Sequence, residues 1–275
     1  MADVNANAIP LTASTTKIMF IDYDGPSGNG MTSLTISSVA YDVIFDGYTN
    51  NSYVIIDGAV AGGRIVVSNI ITLGYGLLYN WFAATDARGV APSGFRVATE
   101  NDWTELANSL SIGATEVKSA RTSLGAHPYW PDGTEGANQS GLSLFPQGRR
   151  DESGNYAGFQ VRSDNTTTTN LAASVTYHFQ VTQFNTFGLR ANQKVTGVPI
   201  RCVSDTEPAT TLVQDNDGNS YSWVQIGTQY WLQQSLKTTT YNNGDAIVTG
   251  LDNATWAATS DGAWAYVNGD SNLPI

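Results

Sequence analysis

The sequence predicts an α+β, β-rich fold in more than one domain, on three observations. Charged residues make up only 13% of the chain while Gly, Ser, Thr and Asn abound, which removes helix-favouring surface and supplies turn formers and strand-tolerant polar positions. Short apolar runs with period-two alternation recur between Gly-, Pro-, Asn- and Asp-rich turns. At 275 residues the chain exceeds the usual single-domain size and can bury a sizeable core.

Residues 1–73 read as short strands, Lys17 to Tyr23, Leu34 to Phe45, Tyr53 to Ile56 and Arg64 to Leu73, separated by Gly25-Pro26, Asp46-Gly47, Asp57-Gly58 and Gly62-Gly63. The best helix signal spans Thr99 to Leu110: Thr99 as N-cap, Glu100 and Asp102 at the positive end, and Trp103, Leu106 and Leu110 on one face. A weaker helix is expected over Ala114 to Thr122. From Ser140 strands return, with a hairpin tip at Asp151 to Asn155, alternation of Tyr177, Phe179 and Val181, and an exposed loop expected at 164–170. A polar junction at Ser204 to Thr211 precedes strands at Tyr221 to Ile226 and Tyr230 to Leu236, joined by a turn at Gly227-Thr228. The expected division is an N-terminal β-domain for assembly or anchoring (1–73), a central domain (74–205) and a C-terminal β segment (206–275).

A net charge of -11 and a pI near 4.4 repel phosphate backbones and anionic lipid, so neither nucleic acid nor a membrane is an expected partner. Cys202 is the sole cysteine; it admits no intrachain disulfide and reads as a buried structural thiol. The first residues show no basic and apolar export signal, and no apolar run approaches a membrane span, which suits a protein kept or assembled in the cytoplasm.

The segment Tyr75-Gly76-Leu77-Leu78-Tyr79-Asn80-Trp81-Phe82-Ala83-Ala84, then Ala91 to Thr99 and the Trp103 helix, resembles the Fibrobacter succinogenes major paralogous domain family. The likeness continues through Ser140 to Arg150 and closes at Pro199-Ile200-Arg201-Cys202-Val203. It implies a C-type-lectin-like fold for the central domain. Two departures stand out. Phe159-Gln160-Val161-Arg162-Ser163 occupies the place of the family's usual Trp-Trp-Ser-Ser stretch. Residues 213–266 look like the family's N-terminal part yet come last, so either the lectin-like domain is circularly permuted and 206–275 completes it, or a second copy begins there and stops before its helix.

Chemistry-bearing constellations are sparse. His127 and His178 have no ligand-spaced neighbours, and no Ser-His-Asp or Cys-His arrangement proposes a nucleophile, so no catalytic residue, metal or cofactor is expected. Asp215, Asp217 and Asn219 imitate the start of a calcium loop, but Ile226 stands where its bidentate Glu belongs, and a hairpin turn is the better reading. Of the seven tryptophans, Trp81, Trp103 and Trp231 sit in apolar patterns and read as core, whereas Trp130, between Pro128 and Pro131-Asp132-Gly133, reads as exposed. The candidate ligand-binding residues are Tyr129, Trp130 and Asp132 in that loop, and Arg162, Asp164 and Asn165 in the loop expected after it. Arg149 and Arg150 read as a solvated strand end.

These readings favour a non-enzymatic bacteriophage virion structural or receptor-binding protein (fibre, tail or capsid-decorating), displaying loops on a lectin-like scaffold. Its expected partners are other virion proteins or copies of itself, as a homo-oligomer, and a host-surface glycan or protein receptor. The alternative is a bacterial cell-surface or secreted adhesin that binds carbohydrate.

Overall fold

Short strands recur through the described residues and pair antiparallel with a neighbour. A computed structural model describes residues 75–110, 130, 140–185, 187–210 and 212–273, together with the backbone of seven strands in the first 73 residues. The chain divides into two compact units, Met1–Leu73 and Gly74–Leu273. The fold is β-rich with few helices, as the composition predicts.

In the first unit β1 (Ile9–Pro10), β2 (Lys17–Phe20), β3 (Ser33–Ile36), β4 (Val39–Asp42), β5 (Ile44–Asp46), β6 (Asn51–Ile55) and β7 (Arg64–Asn69) form two sheets, ordered β1-β7-β3-β4 and β2-β6-β5.

The second unit opens with β8 (Leu77–Tyr79), α1 (Trp81–Ala84), β9 (Arg96–Val97) and α2 (Glu100–Leu110). Thr99 caps α2 as predicted. Its hydroxyl accepts from the Asp102 N–H at 3.2 Å, and the Asp102 carboxylate accepts from the Thr99 N–H at 2.7 Å, a reciprocal arrangement that satisfies two otherwise orphan donors. The expected helix at 114–122 lies outside the described residues.

Next come β10 (Arg149–Arg150) and β11 (Tyr156–Ala157), closed by the predicted tip at 151–155, and then β12 (Arg162–Asn170), β13 (Val175–Thr182) and β14 (Phe187–Gln193) as a three-stranded meander. β15 (Cys202–Ser204), β16 (Leu212–Gln214), β17 (Ser220–Ile226) and β18 (Gln229–Leu232) join β9 in a five-stranded sheet ordered β16-β17-β18-β15-β9. α3 (Asn253–Ala258) and β19 (Trp264–Tyr266) complete the unit, and β19 pairs with β8. The segment after residue 206 therefore pairs within the chain, through β18 on β15 and β19 on β8. It also contains a helix, α3, in a stretch expected to hold none.

The five-stranded sheet is buried on both faces, because alternate residues point to opposite sides. Cys202, Tyr221 and Leu232 pack with Leu77, Tyr79 and Ile200 on one face. Val203, Ile226 and Trp231 pack with Trp103, Leu106, Leu144 and Phe179 on the other. Trp103 and Trp231 are core as expected, whereas Trp81 is only half-buried, with the Lys194 Nζ 4.1 Å above its ring. Cys202 is buried and free, and burial pushes its thiol well above the usual range.

Candidate functional site

Asn80 joins β8 to α1 and is fully buried. Its Oδ1 accepts from the Ala83 N–H and from the Ala263 N–H, both at 3.0 Å, and its Nδ2 donates to the Asp261 carbonyl at 2.8 Å. One amide thus caps α1 and ties it to the segment 261–263. Phe82 is thereby held beside Asp261 and Gly262.

The loop after α1 is built by Asp86, whose carboxylate accepts from the Arg88 N–H at 2.9 Å and pairs with the Arg88 guanidinium at 2.8 Å. The same guanidinium reaches Asp245 at 3.1 Å and lies 3.9 Å over the Tyr241 ring. The Asn242 N–H donates to the Gly89 carbonyl at 2.9 Å, so the 86–89 loop is docked on the 241–245 turn.

Between these pieces lies an open cleft of about 310 Å³, lined by Phe82, Asp86, Arg88, Tyr241, Val248 and Asp261 together with Ser260 and Gly262. Its volume sits at the small end of the ligand range. The hydrogen bonds from Arg88 hold the Asp86 carboxyl down at about 2, and Asn243, then Arg88, lower Asp245. Burial, then the charge on Asp86, pushes the Tyr241 phenol up, so it remains a protonated donor at neutral pH. Val248, at 47% exposure, is one of three exposed large apolar side chains among the described residues and forms part of the cleft wall.

Of the six sequence-predicted candidates, the four that are described, Trp130, Arg162, Asp164 and Asn165, are not among the residues lining this cleft. Tyr129 and Asp132 lie outside the described residues. Trp130 is not exposed: it is 2% accessible, packs with Trp103 and Leu144, and its indole N–H donates to the Leu144 carbonyl at 2.9 Å. Burying a ring of that size outweighs the turn residues around it.

Arg162, Asp164 and Asn165 belong to β12, not to an exposed loop. Asp164 and Asn165 are fully buried, opposite Gln180 and Phe179 of β13. The Asp164 carboxylate accepts from Gln180 at 2.8 Å and lies 3.2 Å from the Arg162 Nε, while burial raises its pKa. His178 shares that interior. Neither ring nitrogen has a hydrogen bond among the described residues, and burial, reinforced by Arg149 and Arg162, pushes its pKa down to about 3. Arg150 is also no solvated strand end: it is buried, donates to the Gly154 and Leu251 carbonyls, and stacks 4.3 Å over Trp256.

The Asp215 carboxylate is occupied by the Asp217 and Asn219 N–H groups, the Asn219 side chain and the Tyr221 hydroxyl. It shapes the hairpin between β16 and β17, as the turn reading predicts. Among the described residues no group of three His, Cys, Asp or Glu side chains is placed to hold a metal ion, and no helix is long and apolar enough to cross a membrane.

The scaffold that carries the cleft is that of a known domain class. The family model of the Fibrobacter succinogenes major domain matches residues 61–204, just over half of the 275 residues. The chain belongs to that family. Comparison with curated proteins and with solved structures gave no match.

Proposed function

We propose that this chain is a non-enzymatic recognition protein of C-type-lectin-like fold, a virion structural or receptor-binding component of a bacteriophage, and that it holds its ligand in the Arg88–Tyr241 cleft. The observation that carries the recognition reading is the combination of fixed walls with unused hydrogen-bonding capacity. Arg88 has five N–H donors, of which three are engaged by Asp86 and Asp245. Ser260 and Asp261 line the same space, and neither side chain hydrogen-bonds within the described residues. The virion setting rests on the lectin-like resemblance and the acidic, sparsely charged composition. The family's name points to a bacterial source and favours a second reading, a bacterial cell-surface or secreted carbohydrate-binding adhesin that would use the same cleft.

The test is binding of the purified full chain to intact bacterial cells and to an array of cell-envelope glycans. Val248→Arg, at an exposed position, should fill the cleft, leave the circular dichroism spectrum unchanged and reduce binding about tenfold or more, the loss of one good contact set. Undiminished binding by this variant would overturn the assignment of the cleft.

A further inference from the structure

We infer that the polar face of the β12–β14 meander binds an oxyanion, a carboxylate or phosphate group, in a basic recess floored by His178 and separate from the Arg88–Tyr241 cleft.

The register of the three strands assembles the recess. Alternate residues point to opposite faces, and pairing sets His178 between Thr166 of β12 and Arg190 of β14, with Gln180 between Asp164 and Gly188. Arg162 shares that face, two residues before Asp164. β10 runs alongside: the Gly148 N–H donates to the Arg162 carbonyl at 2.9 Å, and the Arg149 guanidinium reaches Asn192 on β14 at 2.9 Å. Beyond burial itself, the charges of Arg149 and Arg162 both act on the His178 ring. Between Ser153 and Ser204 the sequence supplies one acidic residue, Asp164, and it lies 3.2 Å from Arg162. Three guanidiniums against one carboxylate leave this face positive within a chain of net charge -11, so an anion is drawn here and repelled elsewhere.

Independent of charge, the buried groups lack an acceptor. His178 is 0% exposed, and neither ring nitrogen has a hydrogen bond among the described residues. A neutral imidazole carries one N–H donor and one acceptor, and buried groups of this kind are normally paired. The Nε atoms of Arg149 and Arg162 are likewise buried without an aligned acceptor. Arg190 donates one N–H to the Leu189 carbonyl and is otherwise exposed. There is also room: a Cβ built on Gly188 would meet no atom within 4 Å. Water is the smallest acceptor that could enter, yet it leaves the charge unbalanced. An oxyanion satisfies the donors and the charge together, and its geometry matches the guanidinium fork.

A nuclear magnetic resonance titration of the full chain at pH 7 and low salt follows the His178 ring protons, told apart from those of His127 by the His178→Gln variant, and calorimetry gives the affinities. The probes are inorganic phosphate, glucuronic acid, glucose, and sodium chloride at matched ionic strength. Phosphate or glucuronate should shift the His178 resonances and saturate, whereas glucose and chloride should not. Arg190→Gln, at an exposed position, should keep the circular dichroism spectrum and weaken oxyanion binding about fivefold, the size of one exposed charge-assisted contact. Tighter binding of glucuronate identifies a sugar carboxylate as the source of the anion, and tighter binding of phosphate a phosphoryl group; either supports the inference. No saturable shift from either anion, an equal shift with chloride or glucose, or wild-type affinity in Arg190→Gln overturns it and leaves the recess to water. The shift should persist in Val248→Arg; its loss there would put the anion in the cleft and equally overturn the inference.

Discussion

Trp103→Ala is the sharpest test of the core that supports the cleft. Trp103 is fully buried, stacks on Phe179 with ring centroids 4.5 Å apart and planes 9° from parallel, and meets Trp231 at 4.8 Å. Removing a buried Trp side chain costs about 3 to 5 kcal/mol, because transfer free energy is lost and a cavity remains. The loss belongs at the upper end of that range, since two aromatic partners are abandoned together. The unpaired indole N–H works slightly the other way, because its deletion also removes a buried polar atom that has no partner. In a domain of this size each kcal/mol moves the melting point by about 2 to 4 °C, so a fall of roughly 10 °C or more is expected. Unfolding should be followed in denaturant by far-ultraviolet circular dichroism, because removing one of seven tryptophans alters the fluorescence signal itself. Trp103→Phe keeps a ring on Phe179 and should lose less than half as much. A loss below about 1 kcal/mol for Trp103→Ala would mean that the α2 face is not packed as described.

Asn80→Ala should cost about 1 to 3 kcal/mol, because it leaves the buried Ala263 N–H without its acceptor, and it should weaken ligand binding by releasing Asp261; a variant that matches wild type in both stability and binding refutes the clamp. His178 has a folded-state pKa lowered to about 3 from 6.5, so its neutral form belongs to the native state. Stability is intact above pH 6.5 and falls as pH drops from there towards 3, by up to about 1.4 kcal/mol per pH unit. Asp164, whose pKa is raised, opposes this by gaining stability on acidification. The isolating comparison is His178→Gln, whose acid limb between pH 6 and 4 should be shallower than that of wild type; parallel limbs contradict the reading. Chelator treatment should leave the melting temperature unchanged, since the Asp215 carboxylate is filled by its own turn; a drop restored by calcium would reverse that conclusion.

The features legible in the sequence are those encoded within a few residues. Thr99 and Asp102 announce the start of α2, Gly227-Thr228 the turn between β17 and β18, and Asp215 to Asn219 a hairpin tip, because each pattern specifies local hydrogen bonds. α3 carries no such signal, because six residues behind an Asp252 cap give less than two turns of periodicity. β12 forms where a loop is expected for a different reason. Its run Arg162-Ser163-Asp164-Asn165-Thr166-Thr167-Thr168-Thr169-Asn170 is polar, and only pairing with β13 and packing from elsewhere in the chain bury its first half. The one local signal for a strand is threonine's tolerance of extended structure. The cleft had no local signal at all, since Arg88 and Asp245 stand 157 residues apart.

The family match ends at residue 204, yet Tyr241, Ala246, Val248, Ser260, Asp261 and Gly262 of the cleft lining all come from beyond it. They reach Phe82 and Arg88 because β18 pairs with β15, β19 pairs with β8, and Asn80 binds the segment just before β19. The same strand pairing that covers the edges of β15 and β8, which would otherwise present unpaired backbone, also brings the second wall of the cleft into place. Closure of the scaffold and assembly of the cleft are one structural event. The matched family segment supplies one wall and the frame, and the tail supplies the other wall.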